Sequence, residues 1–231
     1  MDIKVMVAGS EHLKYAEAIC QEIYVSSLER KTGIANRTPE YIKEKMLAGK
    51  AVIALAFPEG QDGASENASA DAPENASADA PENASAGTPE NASALAPEAA
   101  EPQFAGFSYI ESWGGKSFVA TSGLIVAHAF RGMGIAKKIK EQTFLLSRRL
   151  FPDAKIFSIT TGAAVMKMNY EFGFRPVPFS ELTDDPDFWK GCEGCRHFDI
   201  LKSHDYKMCI CTGLLYDPKE HLEIHHPDDL E

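Results

Sequence analysis

The six residues Arg131-Gly132-Met133-Gly134-Ile135-Ala136 have the pattern of an anion-binding turn. They follow the β-like run Leu124-Ile125-Val126 and open a helix-patterned segment that reaches Phe151. Two glycines at such a junction let backbone N–H groups crowd around an anion, where the helix dipole adds partial positive charge. The flanking residues rule out two common phosphate loops. No Lys-Ser/Thr follows the last glycine, as a P-loop needs, and the G-x-G-x-x-G spacing of a dinucleotide fold is missing.

Leu124-x-Val126 followed by Arg131-x-x-Gly134-x-Ala136 resembles the acyl-coenzyme A signature of the GNAT acyltransferase superfamily, R/Q-x-x-G-x-G/A. The resemblance implies an α/β (α+β) fold with a mixed, mostly antiparallel central sheet flanked by helices. It implies acetyl-CoA as co-substrate, its pyrophosphate on the loop amides of Arg131, Gly132, Met133, Gly134, Ile135 and Ala136. The pantetheine arm would then pair with the strand at Leu124 and Val126, like an added strand, if the neighbouring strand splays away. The implied activity is N-acyl transfer to a primary amine. A backbone N–H of Leu124 or Ile125 would stabilise the developing oxyanion, and one fixed donor of this kind is worth roughly 3–4 kcal/mol.

In many members of that family a Tyr protonates the departing thiolate from a position four residues before the Gly of a Gly-Phe pair. Counted back from Gly173, that position is Asn169, with Tyr170 next to it and about 100° further round the helix. Tyr170 is therefore the candidate acid and Glu111, late in a strand, a candidate proton relay. A packed tyrosine and a solvated strand-end carboxylate are the plainer readings of the same residues. The loop between the first two helices, which often lines the acceptor pocket in related enzymes, holds Arg30, Lys31, Asn36 and Arg37. Arg30, Lys31 and Arg37 would clamp the carboxylate of an amino acid, or else form a solvated cationic loop. Thr160-Thr161, a helix, and Gly173-Phe174-x-Pro176-Val177 are similar to the end of the acyltransferase domain of bacterial N-acetylglutamate synthases, with a helix spacing that differs by two. That likeness points to glutamate or a related small amine. A non-catalytic CoA- or partner-binding protein and a peptide N-acetyltransferase are the competing functions.

The elements that must position these residues are legible as a series. A strand at Ile3–Ala8 precedes a helix from Glu11 to about Arg30, with Ser10 as its expected cap. Thr38-Pro39-Glu40 opens a second helix that ends near Gly49, and Ala51–Phe57 is a buried-looking strand. Strands at Phe104–Ser112 and Ser117–Val126 flank the turn residues Gly114-Gly115. The helix Ile135–Phe151 is stopped by Pro152. A strand at Ala154–Thr161, a helix at Ala163–Phe172 capped by Gly173, and an extended Phe174–Val177 follow. The acyltransferase-like domain is thus expected over residues 1–178, with a small Cys-rich C-terminal extension over 179–231.

An acidic insertion at about 58–103 interrupts that domain. Its unit Glu66-Asn67-Ala68-Ser69-Ala70-Asp71-Ala72-Pro73 recurs with drift from Glu74, Glu82 and Glu90. A period of eight without large apolar residues fits no stacked repeat, so an extended, solvated loop is expected. The four Asn-Ala-Ser triplets match a glycosylation acceptor pattern, but a drifting surface repeat is the preferred reading. The segment carries ten of the 34 acidic residues and no basic ones, so the formal charge of −11 falls to −1 without it (24 acidic against 23 basic). No nucleic-acid surface is expected from a nearly neutral fold. No apolar run is long enough to span a bilayer and no signal-peptide h-region is present, so no membrane partner and a cytoplasmic location are expected.

Cys192, Cys195, Cys209 and Cys211 form two close pairs, with His197 and His204 between them. Four thiolates in this arrangement suit a tetrahedral structural zinc, although one intervening residue in the second pair is shorter than usual. Unligated or redox thiols and an iron–sulfur cluster are the alternatives, and a reducing cytosol disfavours disulfides. Cys20 lies on a helical apolar stripe and reads as a core thiol, and His128 as a loop-surface histidine.

Overall fold

A computed structural model describes residues 1–30, 36–58 and 101–221, and the side chain of Arg30 is not among what it describes. The octapeptide repeat with its Asn-Ala-Ser triplets, Lys31, and residues 222–231 lie outside the described residues. Seven strands form one sheet, numbered here in chain order. They are β1 (Asp2–Val7), β2 (Ala51–Phe57), β3 (Gln103–Trp113), β4 (Phe118–Val126), β5 (Lys155–Thr160), β6 (Arg175–Val177) and β7 (Thr212–Tyr216). Their spatial order is β1-β2-β3-β4-β5-β7-β6. Every neighbouring pair is antiparallel except β4–β5, which is parallel.

The run Ala51–Phe57 is apolar throughout because both of its faces are covered. Val52, Ala54 and Ala56 pack with Ile135 and Ile139 of α3 (Ile135–Leu150). Ile53 and Leu55 face Ile19 and Ile23 of α1 (Ala16–Arg30) and Ile42 and Met46 of α2 (Pro39–Leu47). Period-two alternation therefore feeds two cores on opposite faces of one sheet. The helix starts and stops follow local chemistry. Thr38 Oγ1 accepts from Tyr41 N at 3.3 Å with Pro39 at the first helical position. Helix α4 (Ala163–Glu171) ends with Gly173 at φ +81°, while Phe174 N and Gly173 N donate to Asn169 O and Tyr170 O. This is the Schellman arrangement, which satisfies two terminal carbonyls. The expected first helix differs at its start: Ser10–Tyr15 is a 3₁₀ turn and α-geometry begins at Ala16.

The larger difference lies after residue 178, where a separate extension was expected. Strand β7 enters the sheet between β5 and β6 and pairs with both. The preceding segment, with α5 (Pro186–Lys190) and α6 (Phe198–Ser203), packs Phe179, Trp189 and Leu201 onto Phe157 and Leu215. Thr212-Gly-Leu-Leu-Tyr216 is too short to announce itself by periodicity. Among the described residues no helix is long and apolar enough to cross a membrane.

Leu214 and Leu215 are 0% and 1% exposed. Replacing either with alanine should lower global stability by about 2–5 kcal/mol in chemical denaturation, because each leaves a cavity in the sheet core. An independent appendage would give a separate transition and leave the main one unmoved.

Candidate active site

Strands β4 and β5 pair only through Phe118↔Lys155, Val119↔Ile156 and Ala120↔Phe157. Beyond that point Thr121–Leu124, Val126 and Ser158–Thr160 line a shared cleft of about 1370 Å³. That volume exceeds the roughly 300–1,000 Å³ of ordinary ligand pockets, leaving room for a long cofactor and a second reactant. On the other side of β4, Phe107 pairs with Ile125 and Tyr109 with Ser122, so Gly123 and Leu124 stand opposite Ser108 alone. The bulge depends on Gly123, whose φ is +66° and whose missing Cβ would lie 2.6 Å from the Tyr109 ring. A bulge takes backbone groups out of the ladder, which is what an oxyanion donor at Leu124 or Ile125 requires.

Strand β4 leads through a short 3₁₀ turn, His128–Phe130, to the glycine loop. Gly132 and Gly134 sit at φ +83° and +74° with open space where a side chain would be. The first helical bond of α3 is Lys137 N to Gly134 O at 3.1 Å. Among the described residues no backbone acceptor meets the amides of residues 132–136. These donors open onto the cleft, which Gly132, Gly134, Ile135 and Ala136 line together with Leu124 and Val126. Met133 is 58% exposed and off the cleft wall.

The Arg131 guanidinium is engaged within the protein. Its Nε donates to Val126 O at 3.2 Å, and Nη1 pairs with Glu29 of α1 at 2.9 Å. Arg131 therefore ties the loop to the end of β4 and to α1. His128 is exposed, and Cys20 packs in the α1/α2 core.

The candidate proton carriers separate. Glu111 lines the cleft but is ion-paired with Lys45 and, at 2.8 Å, with Lys50. Burial raises its pKa, and the two ammonium groups outweigh this and hold the carboxyl below its ordinary value. Tyr170 is 49% exposed and off the cleft wall, so the expected acid is misplaced. The helical phase explains why: Ala164, Lys167, Met168 and Glu171 form the cleft-facing stripe, and residue 170 is rotated out of it. Asn169 is fully buried, away from the cleft.

On the α2 side of the cleft, Arg37 Nε donates to Tyr109 Oη at 2.8 Å and its guanidinium lies 5.3 Å from the Tyr41 ring centre. Burial, then Tyr109, pushes the Tyr41 phenol above its ordinary range. Arg37 is the one substrate-side cation from the sequence reading whose side chain is described on the cleft wall. Lys31 and the Arg30 side chain lie outside the described residues.

Cys192, Cys195, Cys209 and Cys211 all line the cleft at its C-terminal wall. Burial, then Cys195 and Cys209, pushes the Cys192 thiol up to about 11; burial, then Cys209, pushes Cys211 up to about 12. Among the described residues no three His, Cys, Asp or Glu side chains are placed to hold a metal ion, so the zinc expectation finds no support. Cys192, Cys209 and Cys211 instead pack against the Phe157–Trp189 cluster as small apolar groups.

Sequence reasoning missed Lys140. It is 2% exposed, lies on the cleft wall, and donates from Nζ to Thr121 Oγ1 at 2.8 Å beneath the Phe174 ring. Lys140, Thr143 and Ser147 share a buried stripe of α3 at spacings of three and four. The two hydroxyls bond back to Ile139 O and Thr143 O, which satisfies them locally. That polar stripe beside Ile135, Ile139 and Leu146 was the available signal.

No protein-family model and no curated protein sequence matches the chain. Solved structures do. The chain is similar to N-acetylglutamate synthase from Neisseria gonorrhoeae complexed with coenzyme A and N-acetyl-glutamate, at 10% identity and TM-score 0.51. That match covers 94% of this chain and 35% of the synthase, so the chain spans about a third of its length. It is similar also to a putative acetyltransferase from Salmonella typhimurium with acetyl-CoA, at 11% identity and TM-score 0.51 over 98% and 96% of the two chains. A Mycobacterium tuberculosis protein in complex with CoA matches at 11% and 0.51 over 93% and 98%. The chain has the GNAT acyltransferase fold, as the loop motif led us to expect.

Burial alone pulls the Lys140 ammonium down to about 7 from its ordinary 10.5. Between those values the unfolded chain holds a proton that the folded chain has released, so stability must rise with pH there. A Lys140→Met variant should therefore be stabilised relative to wild type most at and below about pH 7, with the gap closing towards pH 10 in paired thermal melts. A gap independent of pH would contradict the buried, depressed lysine.

Proposed function

We propose that this chain is an N-acyltransferase that moves an acetyl group from acetyl-CoA to the primary amine of a small carboxylate-bearing metabolite. One observation carries the reading: β4 and β5 part after three residue pairs, and the opened strand runs straight into free amides at the start of α3. The loop amides suit a pyrophosphate, and the unpaired edge of β4 suits the two amides of a pantetheine arm. Bound this way, the thioester lies against the Gly123–Leu124 bulge. The amine nitrogen attacks the thioester carbon, a backbone N–H of Leu124 or Ile125 takes the developing negative charge, and the C–S bond breaks.

The acceptor enters from the α2 side in this reading. Arg37, with Nη2 unpartnered among the described residues, offers a cation for a carboxylate. Glu111, ion-paired twice and held ionised, is a weak base, and its place here is to anchor α2 against β3 under that pocket. An amino-acid acceptor is supported by Arg37 and by the likeness to a synthase complexed with N-acetyl-glutamate. A fold of the same kind also occurs in a NatC complex bound to Gag peptide and CoA, at 12% identity and TM-score 0.51, so peptides belong in the test.

Thiol release from acetyl-CoA, measured with amino acids, polyamines and short peptides, tests the proposal. Turnover is expected with an α-amino acid. CoA uptake without turnover of any amine would show a binding protein, and turnover on peptides alone would move the acceptor class. Arg37→Ala should raise KM for the amino acid roughly 10–100-fold with a smaller change in kcat, the scale of one lost charge-assisted bond. An unchanged KM would remove Arg37 from the acceptor site.

A further inference from the structure

We propose that Lys140 is the catalytic acid of this site, giving its Nζ proton to the sulfur of the departing coenzyme A. The inference rests on the acyltransferase reading above and adds a residue that no motif of the chain suggested. The geometry begins at the fork. β4 and β5 close at Ala120 and Phe157, so the thioester of an arm laid along β4 from the loop is confined between the Gly123–Leu124 bulge and that closure. From Val126 to Thr121 is five strand steps, about 16 Å at roughly 3.3 Å each. At the end of that path stands Thr121, whose Oγ1 donates across the fork to Phe157 O at 3.4 Å and accepts from Lys140 Nζ at 2.8 Å. The same helix supplies both ends of the track: its first amides face the anion, and Lys140 meets the reacting end.

A structural role gives Lys140 little to do. Burying an unpaired ammonium costs free energy, and an apolar side chain of similar length would fill the space at lower cost. Charged side chains on the cleft walls include Lys137 on the same helix, Lys167 and Glu171 on α4, Glu111 on β3 and Asp187 on α5. Lys137 and Glu171 pair with each other at 2.8 Å, and Glu111 is held by Lys45 and Lys50. None of them acts on Lys140, whose acidity is set by burial alone. An ammonium that releases its proton near neutral pH is well matched to a general acid.

The step balances. The amine nitrogen forms the N–C bond, the C–S electron pair leaves on sulfur, and sulfur takes one proton from Lys140 to become a thiol. Lys140 is left neutral. The proton shed by the acylated nitrogen returns it to the charged form through water in the cleft, so a cycle that starts from a neutral amine neither gains nor loses a proton.

The test compares wild type, Lys140→Met and Lys140→Arg in acetyl-CoA affinity and in the pH profile of kcat, with the best amine of the panel. Wild-type kcat should fall as pH rises through about 7. Lys140→Met should bind acetyl-CoA with little change yet lose about 100-fold or more in kcat, together with that limb of the profile. Lys140→Arg keeps a cation and a donor to Thr121 but cannot give up a proton, so it should be as impaired as the methionine variant. Full rescue by arginine, or a pH limb that persists in Lys140→Met, would overturn the assignment while leaving the acyltransferase reading intact. A folded wild type that takes up no acetyl-CoA would overturn that reading itself. Uptake without turnover of any amine would count against Lys140 as an acid.

Discussion

Among the described residues, backbone groups on one edge of β4 have no strand to bond beyond Ala120, because β5 has turned away from them. An unpaired strand edge inside a fold is costly unless water or a ligand satisfies it. The rest of the molecule is arranged around that open edge. Helix α3 lies across one face and presents its free amides where the edge ends, and α1 and α2 cover the other face. The bulge at Gly123 belongs to the same arrangement, since it turns backbone groups of β4 out of the ladder beside the opening.

The base of the opening is covered by the segment between β6 and β7. Its aromatic residues seat on Phe157 at the base of the fork, and its four cysteines form part of the cleft wall. Strand β7 then locks the segment into the sheet by pairing on both sides. Strand β5 is thus held on its far side by β7 while its near side parts from β4 after Phe157.

Much of this was legible in the residues. The apolar run of β2, the Thr38-Pro39 start, the Gly114-Gly115 turn and the Gly173 cap depend on neighbours in sequence, and they appear within a residue or two of where they were expected. The loop Arg131–Ala136 was legible because its glycines are needed by the loop's own backbone. What was not legible depends on partners far along the chain. Tyr170 looked suitable by sequence distance, but helical phase carries it off the cleft. Arg131 has the chemistry of a phosphate ligand, yet Glu29, 102 positions earlier, holds it elsewhere. The buried stripe of Lys140, Thr143 and Ser147 hints at Lys140, but its place under Phe174 depends on a partner far along the chain, and the cysteine spacing could not reveal that the thiols pack as apolar groups.

Amide hydrogen exchange with and without coenzyme A is the most direct measurement of the central claim, because it reports on the backbone groups said to do the holding. The account predicts slower exchange on adding coenzyme A at two separate stretches, residues 121–126 on β4 and residues 132–136 at the start of α3. A folded sample whose exchange is unchanged at both stretches, at coenzyme A concentrations that saturate enzymes of this fold, would contradict it.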